Sequence, residues 1–360
     1  MRVERIAFEG FRNLRPGEMT AAEGVNVIYG ANAQGKTNLL EAMWLFTGSR
    51  SFRGAKESSL VTAGQEFARL EMDFFAEERA QNAVLLLQKG RQATLNGVKL
   101  KSAGGLAGHF RAVVFSPAHL TLVKDGPEER RHFLDAAIGQ LWPKYNSLYA
   151  AYLRAVSQRN ALLKDARFHT QLLDMLEVYD REIAHKGARL VDYRLRYLAR
   201  LRPYAEEIYA GIAGGKETLG IAYLGLPDGR DEGALFAALK AARKEDLAAA
   251  VTSVGPHRDD LTLTVSEMDA RQFASQGQQR SAVLALQLAE AAVLRDVAGE
   301  QPVALLDDVM SELDETRQDY LLRHVRGWQV FLTGCDGGIV RRVTTGAVFR
   351  MESGVLTKEG

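Results

Sequence analysis

The sequence of 360 residues is short of cysteine, of net charge and of long apolar runs. Its single cysteine, Cys335, cannot form an internal disulfide, which is typical of a protein from a reducing compartment. A net charge of +1 excludes a uniformly basic nucleic-acid binder, so any basic binding surface has to be local. No uncharged run reaches the roughly 18–20 residues that span a bilayer, so we expect no membrane association.

Other common signals are also missing. The start of the chain, residues 1–5, has no apolar signal core, and we find no repeats, low-complexity segments or flexible linkers. The seven histidines show no metal-ligand spacing, and His257 is expected to be structural. With 46% hydrophobic and 25% charged residues, the composition predicts a globular, cytoplasmic protein with enough chain for two lobes.

The stretch around which the chain is organised reads G-x-x-x-x-G-K-T. An apolar, β-branched run at residues 25–29 precedes it and predicts a buried strand, and a helical segment at 38–46 follows it. Strand, glycine loop and helix together predict a phosphate cradle at a helix N-terminus. The alternative is a chance glycine-rich turn. The predicted nucleotide-binding residues are Gly30, Ala31, Asn32, Ala33, Gln34, Gly35, Lys36 and Thr37.

Two side chains of this loop and two aspartates have predicted roles in catalysis. Lys36 is placed to reach the β- and γ-phosphates of ATP, and the Thr37 hydroxyl to ligate Mg²⁺. Four apolar residues followed by two aspartates, at 303–308, predict a Walker B strand. Asp307 would hold the Mg²⁺ shell, and Asp308 would be the general base for the attacking water. The alternative is a polar strand end that caps the next turn.

A third motif comes before Walker B. Ser275, Gly277 and Gln278 resemble the signature of ATP-binding-cassette ATPases, although Ala274 and Gln276 replace the usual leucine and first glycine. A serine hydroxyl, a glycine N–H and a helix dipole can form an anion site. Taken alone, the pattern is most often a helix N-cap. Residues 311–314 fit the D-loop that follows Walker B in the same superfamily.

Two elements of that superfamily are not found. Residues 116–119 occupy the place of the Q-loop without a glutamine. Thr333 stands where many relatives carry a switch histidine. Both departures predict slow hydrolysis or a different arrangement of the attacking water.

The hydrophobic pattern predicts an α/β fold with an inserted, mostly helical lobe. The resemblance of the motifs to ATP-binding-cassette ATPases implies an ABC-type P-loop ATPase head with mixed sheets around the P-loop helix. The ATP-binding lobe is expected at residues 1–122 and 300–360, and the helical lobe at 123–299. Strands are expected at residues 2–9, 25–29, 68–75, 83–88, 93–95, 111–115, 217–224, 260–265, 302–306 and 329–333, and helices at 231–250 and 273–297.

An antiparallel helical arm is predicted within the helical lobe, at about residues 143–210. Apolar residues recur at spacings of three, four and seven over 145–163 and again over 172–208. The polar residues 164–170 would connect the two helices. Pro203 is expected to kink the second helix or restart it.

Together these stretches resemble the RecF family of recombination mediator ATPases, relatives of the structural-maintenance-of-chromosomes (SMC) ATPase heads. The most specific part is the combination of residues 255–258 with residues 275–279. The stretches that carry the resemblance are residues 11–13, 30–42, 51–53, 114–117, 126–135, 254–261, 275–280 and 305–314.

The resemblance implies ATP and Mg²⁺ as cofactors, ATP-dependent homodimerisation, and slow, DNA-stimulated ATP hydrolysis. It also implies binding to DNA at single-strand gaps or junctions and recombinase loading with RecO- and RecR-type partners. In this family pattern, Arg12 and Asn13 belong to the nucleotide site.

DNA contacts are predicted at local basic residues. Arg189, Arg196 and Arg200 share one face of the second arm helix, and Arg50 and Arg53 form a second candidate site. The alternative for the arm is a solvated face. Two other functions stay open: a transporter-type ATPase subunit, and a structural protein that holds nucleotide without turnover.

Overall fold

The computed structural model describes residues 1–166, 168–335 and 346–359. Within these ranges no helix is long and apolar enough to cross a membrane. The strands are β1 (Arg2–Glu9), β2 (Gly17–Thr20), β3 (Val25–Tyr29), β4 (Ala68–Ala76), β5 (Arg79–Leu87), β6 (Arg91–Leu95), β7 (Val98–Lys99), β8 (Ala112–Phe115), β9 (Leu219–Leu224), β10 (Asp260–Val265), β11 (Met268–Asp269), β12 (Val303–Leu306), β13 (Val330–Gly334), β14 (Gly346–Glu352) and β15 (Val355–Glu359). The helices are α1 (Lys36–Trp44), α2 (Thr121–Lys124), α3 (Pro127–Leu141), α4 (Pro143–Ala166), α5 (Leu176–Ile212), α6 (Glu232–Ala241), α7 (Arg243–Ala249), α8 (Ala270–Phe273), α9 (Gln276–Ala298), α10 (Val309–Glu312) and α11 (Glu315–His324).

Three sheets organise these elements. The central sheet has the order β15-β14-β3-β13-β12-β8, and its strands are parallel except for β15. The first part of the chain forms an antiparallel sheet, β2-β1-β4-β5-β6-β7. A small antiparallel sheet, β11-β10-β9, lies in the helical part.

The helix α1 lies between the antiparallel and central sheets. Its Leu39 and Met43 are fully buried, in one core with Ile6 of β1 and with Ile28 and Phe331 of the central sheet. Side chains alternate across a strand, so the neighbours of such residues face the opposite side. The predicted arrangement of mixed sheets around the P-loop helix is confirmed.

A second core covers the other face of the central sheet. Leu306 and Leu332 point into it and meet the apolar faces of the helices α3, α4, α5 and α9. The helix α11, which the predicted division assigns to the ATP-binding lobe, packs against α5 and α9, and its Tyr320 hydroxyl donates to the carbonyl of Ile208 (3.2 Å).

The helices α4 and α5 form the predicted arm. Arg159 of α4 bonds Asp180 near the start of α5, whereas Tyr145 at the start of α4 accepts from Arg194 further along α5. This crossed pairing makes the two helices antiparallel. Arg159 is fully buried and also bonds Asp246 (2.6 Å), which ties the arm to α7.

Three helix predictions need correction. The predicted restart of the second arm helix at Pro203 is wrong: α5 continues through this residue, because the ring is exposed and residue 199, whose carbonyl loses its partner, lies on the same exposed side. The segment 231–250 forms two helices, α6 and α7, instead of one. The arm connection begins after Ala166 and contains a 3₁₀ turn at Thr170–Met175, while residue 167 lies outside the described residues.

His257 lies at the base of the arm, within the core. Its Nδ1 faces the Tyr152 hydroxyl at 2.6 Å, and its Nε2 faces the carbonyl of Thr252 at 3.0 Å. Burial lowers the pKa of His257 to about 4, so the ring is neutral at pH 7. With both nitrogens engaged, the ring holds α4 against the loop that precedes β10.

Candidate nucleotide site

The site forms at one edge of the central sheet, where parallel strands end together. Strand β13 lies between β3, which leads into the P-loop, and β12, which ends at Asp307. The hydroxyl groups of Thr37 and Thr333 both donate to Oδ1 of Asp307, at 2.8 and 2.9 Å. The structure therefore brings together the predicted metal-binding residues and adds Thr333 to them.

The loop itself depends on two glycines. Gly30 has φ 156°, and a Cβ at this position would lie 2.2 Å from the carbonyl oxygen of Met351 in β14. Gly35 has φ 115°, and its Cβ would lie 2.9 Å from Oδ1 of Asn13. A side chain at either position would push the loop off its neighbours.

The side chain of Lys36 folds back onto this loop. Its Nζ donates to the carbonyls of Gly30 (2.6 Å) and Ala31 (2.9 Å), and the residue is only 7% exposed. The ammonium group therefore lies inside the ring of backbone that residues 30–36 form, on the side from which the loop can be reached by a phosphate.

Asp307 is a buried carboxyl, and among the described residues it has no cationic hydrogen-bond partner. Burial raises its pKa, and the negative charge of Asp308 raises it further, whereas the hydrogen bonds from Thr37 and Thr333 lower it. Carboxylate and hydroxyl oxygens are hard donors that suit Mg²⁺. The donor set therefore fits a magnesium ion, with Asp307 and Thr37 as the residues that would hold it.

Asp308 differs from its neighbour in the surroundings of its side chain. Its backbone is left-handed (φ 50°), and its N–H donates to the Thr333 hydroxyl at 2.9 Å. Within residues 1–166, 168–335 and 346–359, its carboxylate makes no hydrogen bond, and its role as general base stays a prediction.

Arg12 and Asn13 both lie beside the P-loop, but they contact different partners. The Arg12 guanidinium bonds both oxygens of the buried Glu41 in α1, at 2.9 and 3.0 Å. Asn13 donates to the carbonyl of Ala33 (3.0 Å) and accepts from Asn38 (2.7 Å). Arg12 thus holds the helix, and Asn13 holds the loop.

Arg53 lies closer to the nucleotide site than its prediction as a DNA contact suggested. It donates to Oδ1 of Asn38 in the first turn of α1 (3.0 Å), and its charge lowers the pKa of Asp307. Arg50 is exposed on the same loop, where its carbonyl accepts from the Trp44 indole (2.8 Å).

The C-terminal hairpin is a part of the site that sequence analysis missed. The turn between β14 and β15 donates two backbone N–H groups to Gln34, from Ser353 to its side chain (2.5 Å) and from Gly354 to its carbonyl (3.0 Å). The only signal was the turn pair serine-glycine between two alternating segments.

A glutamine does reach the place of the missing Q-loop, but from another element. Gln287 of α9 donates to the carbonyl of Val114 in β8 (2.9 Å) and faces Nδ1 of His119 (2.5 Å). Burial lowers the pKa of His119 to about 4, so its ring is neutral. The segment after β8 is therefore linked to the helix that carries the signature.

The signature turn is built separately from the P-loop. Ser275 is the exposed N-cap of α9 and forms a capping box with Gln278: Ser275 Oγ accepts from the Gln278 N–H (3.3 Å), and Gln278 Oε1 accepts from the Ser275 N–H (2.7 Å). Gln278 also donates to Glu217 (2.8 Å). In the described residues, the structure does not join Ser275, Gly277 or Gln278 to residues 30–37 by any hydrogen bond.

The remaining predicted residues lie on exposed surfaces. Arg189, Arg196 and Arg200 are all exposed on one face of α5, and Arg196 pairs with Asp192 (2.7 Å). In the predicted D-loop, Glu312 accepts from Arg280 (2.7 Å), and Asp314 caps α11.

A P-loop between a parallel strand and a helix, a buried Asp307 that meets Thr37, and a capped signature turn define a P-loop ATPase head of the ABC type. The chain also matches the model of the RecF/RecN/SMC N terminal domain over residues 2–353. It is 37% identical to the DNA replication and repair protein RecF of Caldanaerobacter subterraneus, over 100% of both chains, and 35% identical to that of Clostridium acetobutylicum, over 99% of this chain and 100% of the other. The chain belongs to the RecF family.

Solved structures agree with this assignment. The structure of the recombination mediator protein RecF-ATP in the RecFOR pathway superposes with a TM-score of 0.92 at 36% identity, over 99% of this chain and 97% of that one. An Smc head domain from Pyrococcus yayanosii superposes with a TM-score of 0.56 at 14% identity, over 99% and 96% of the two chains, which shows the shared fold.

Proposed function

We propose that this protein is a RecF-type recombination mediator. It binds ATP with Mg²⁺, dimerises on DNA at single-strand gaps or junctions, and supports recombinase loading with RecO- and RecR-type partners. The observation that supports the proposed ATPase activity is that the hydroxyl groups of Thr37 and Thr333 both donate to Asp307. Full-length similarity to RecF proteins supports the DNA and partner roles.

Hydrolysis follows from the roles of the side chains around the loop. Lys36 leaves the carbonyls of Gly30 and Ala31 and binds the phosphate oxygens. Thr37 and Asp307 would hold Mg²⁺, which would supply positive charge to the phosphates. Asp308 accepts the proton of the attacking water.

Turnover is expected to be slow. The hydroxyl of Thr333 stands at the end of β13 and is occupied by Asp307 and the Asp308 N–H. A hydroxyl group cannot take up a proton near neutral pH as an imidazole can. Among the residues that the structure describes, a hydroxyl group therefore stands beside Asp308 at this strand end in place of an imidazole.

ATP is expected to join two subunits. Ser275 is exposed at the start of α9, so the turn is open to a second copy of the chain. Two identical subunits that meet there form a two-fold interface in which each signature faces the partner's P-loop. ATP then favours the dimer through contacts that a monomer lacks.

ATP hydrolysis measured without DNA, with duplex DNA and with gapped DNA tests this function. We expect a low basal rate that gapped DNA raises, while Asp308→Asn stays inactive under all conditions as the matched control. A DNA-independent rate would favour a transporter-type ATPase, and ATP binding without turnover would favour a nucleotide-holding structural protein. Sedimentation with and without ATP and DNA reports the dimer in the same samples.

A further inference from the structure

Two segments that are distant in the sequence meet behind the exposed Ser275. One is formed by the first two turns of α9, which include Ser281, and the other is the turn at residues 311–314 that leads into α11. Arg317 of α11 joins them, because its Nε donates to Oγ of Ser281 (2.8 Å) and one amino group donates to the carboxylate of Asp314. One guanidinium therefore bonds both segments.

The two partners of Arg317 carry the contact further in each direction. The Ser281 hydroxyl donates to the carbonyl of Gly277 (3.1 Å), and the Asp314 carboxylate caps α11 through the Arg317 N–H (3.0 Å). The guanidinium lies directly on the signature turn, since a Cβ at Gly277 would lie 3.3 Å from Nη2 of Arg317. A continuous set of contacts thus runs from Asp314 to the signature.

The turn at residues 311–314 is also tied to the end of the Walker B strand. The Ser311 hydroxyl donates to the carbonyl of Asp308 (2.8 Å). Gln318 donates to the carbonyls of Met310 (2.6 Å) and Leu313 (2.9 Å). Hydrogen bonds therefore link the backbone of Asp308, the proposed general base, to the turn at residues 311–314. Arg317 extends this link to the signature turn.

The shape of the arginine side chain matters for this link. A cation near a helix N-terminus is unfavourable in itself, because that end of the helix carries partial positive charge. The planar fork of Arg317 can bond Asp314 and Ser281 at once, whereas the flexible ammonium of a lysine does not fix two partners in one geometry. The position therefore suits a group that fixes two turns relative to each other.

We propose that Arg317 is a positioning residue for ATP-dependent dimerisation. It fixes the Ser275 turn against the turn at residues 311–314, so that both meet a second subunit in one arrangement. This inference rests on the proposed function, in which the Ser275 turn closes on the partner's nucleotide. ATP binding to one subunit does not need Arg317, because the P-loop is built from other elements.

The test compares ATP affinity with dimerisation. Arg317→Ala should leave the ATP affinity of the monomer unchanged and weaken ATP-dependent dimerisation about tenfold or more, since small misplacements of interacting groups carry large costs. Arg317→Lys should restore dimerisation only in part. Arg323→Ala, an exposed residue in the last turn of the same helix, is the matched control and should behave as wild type.

A double-mutant cycle separates positioning from a general effect on the fold. If Arg317 acts through Ser281, Arg317→Ala combined with Ser281→Ala should dimerise no worse than Arg317→Ala alone. Thermal unfolding is measured for each variant. If Arg317→Ala does not fold, Arg317→Lys and Ser281→Ala replace it, and both should weaken the dimer without changing ATP affinity.

The outcomes distinguish this inference from the function on which it rests. A wild-type protein that stays monomeric with ATP overturns both. A wild-type protein that dimerises, together with Arg317 variants that dimerise equally well, overturns the role of Arg317 alone. A loss of ATP affinity in the Arg317 monomer as large as the loss of dimerisation also overturns it, because Arg317 would then support the fold in general.

Discussion

The P-loop and the signature turn differ in how completely one chain surrounds them. Residues 30–37 are held by several separate segments, among them Asn13 after β1, the hairpin turn at Gly354, and Asp307 after β12. The turn at Ser275 is capped by its own Gln278 and bound from behind by Arg317 and Glu217. The first is a site that one chain builds, and the second is the exposed surface that we propose binds a second subunit.

The P-loop region and the signature turn also differ in how deeply their residues are buried. Lys36 and Asp307 are 7% and 5% exposed, whereas Ser275 is exposed. Electrostatic interactions are stronger in the drier surroundings of the P-loop. Substitutions there should therefore change binding and chemistry, while substitutions at the signature should change association.

The largest effect is expected from Asp308→Asn. The amide accepts a hydrogen bond but cannot take a proton, so turnover should fall about 10²–10⁴-fold, the usual contribution of a general base. Asparagine tolerates the left-handed backbone at this position, so ATP binding should persist and an ATP-bound dimer should accumulate. Turnover is measured by phosphate release. If this variant hydrolyses normally, the base lies elsewhere, and Glu312 is tested next.

Lys36→Ala should lower ATP affinity about 100-fold or more, because a buried electrostatic contact to phosphate is worth roughly 3 kcal/mol. Calorimetric titration measures the affinity. Lys89→Ala, at an exposed hairpin, is the control and should bind normally. Wild-type affinity in the Lys36 variant would rule out the P-loop assignment.

Thr333→Val should lower turnover about tenfold. It removes one hydroxyl from Asp307 and leaves the Asp308 N–H without its partner, and an unsatisfied buried group costs about 1–3 kcal/mol. Thr333→Ser keeps both hydrogen bonds and should retain the wild-type rate. Equal rates in the valine and serine variants would show that the hydroxyl does not position the two aspartates.

The smallest effect is expected at the arm. Replacing Arg189, Arg196 and Arg200 with alanine should weaken DNA binding and flatten its salt dependence by about 0.9 for each lost phosphate contact. Fluorescence anisotropy at several salt concentrations measures the slope. Arg181→Ala, also exposed on α5, is the control. An unchanged slope in the triple variant would assign this face to protein contacts or to solvent.

The sequence predicted what local patterns encode. Gly30, Lys36, Asp307 and Asp308 follow from motifs within a few residues of a strand end, and the arm follows from regular apolar spacing. The structure confirms that these motif residues meet at one edge of the central sheet.

The contacts that the sequence did not predict join elements that are distant along the chain. The hydrogen bond from Thr333 to Asp307 forms only because β13 lies between β3 and β12, and no local pattern fixes that strand order. The contacts of Glu41 with Arg12 and of Gln287 with His119 join different elements in the same way. The predicted helix restart at Pro203 was wrong for the opposite reason: a strong local signal was overridden, and the helix continues on both sides of the exposed proline.

Substitutions of Ser275 test whether its turn completes the nucleotide site of a partner subunit. Ser275→Arg should bind ATP nearly as well as wild type, because the P-loop is untouched, yet its bulk and charge should block the partner's nucleotide. Arginine also removes the N-cap, a loss of about 1 kcal/mol, so Ser275→Asp serves as a second variant that keeps the cap and repels phosphate. Ser275→Thr, which also keeps the cap, is the control and should dimerise.

The most direct measurement is sedimentation of wild type and these three variants with saturating ATP, beside calorimetric ATP affinities. We predict dimers for wild type and Ser275→Thr, and monomers with nearly normal ATP affinity for Ser275→Arg and Ser275→Asp. Dimers of Ser275→Arg and Ser275→Asp would contradict the account, since the signature would then be only a helix cap and each nucleotide site would belong to one chain.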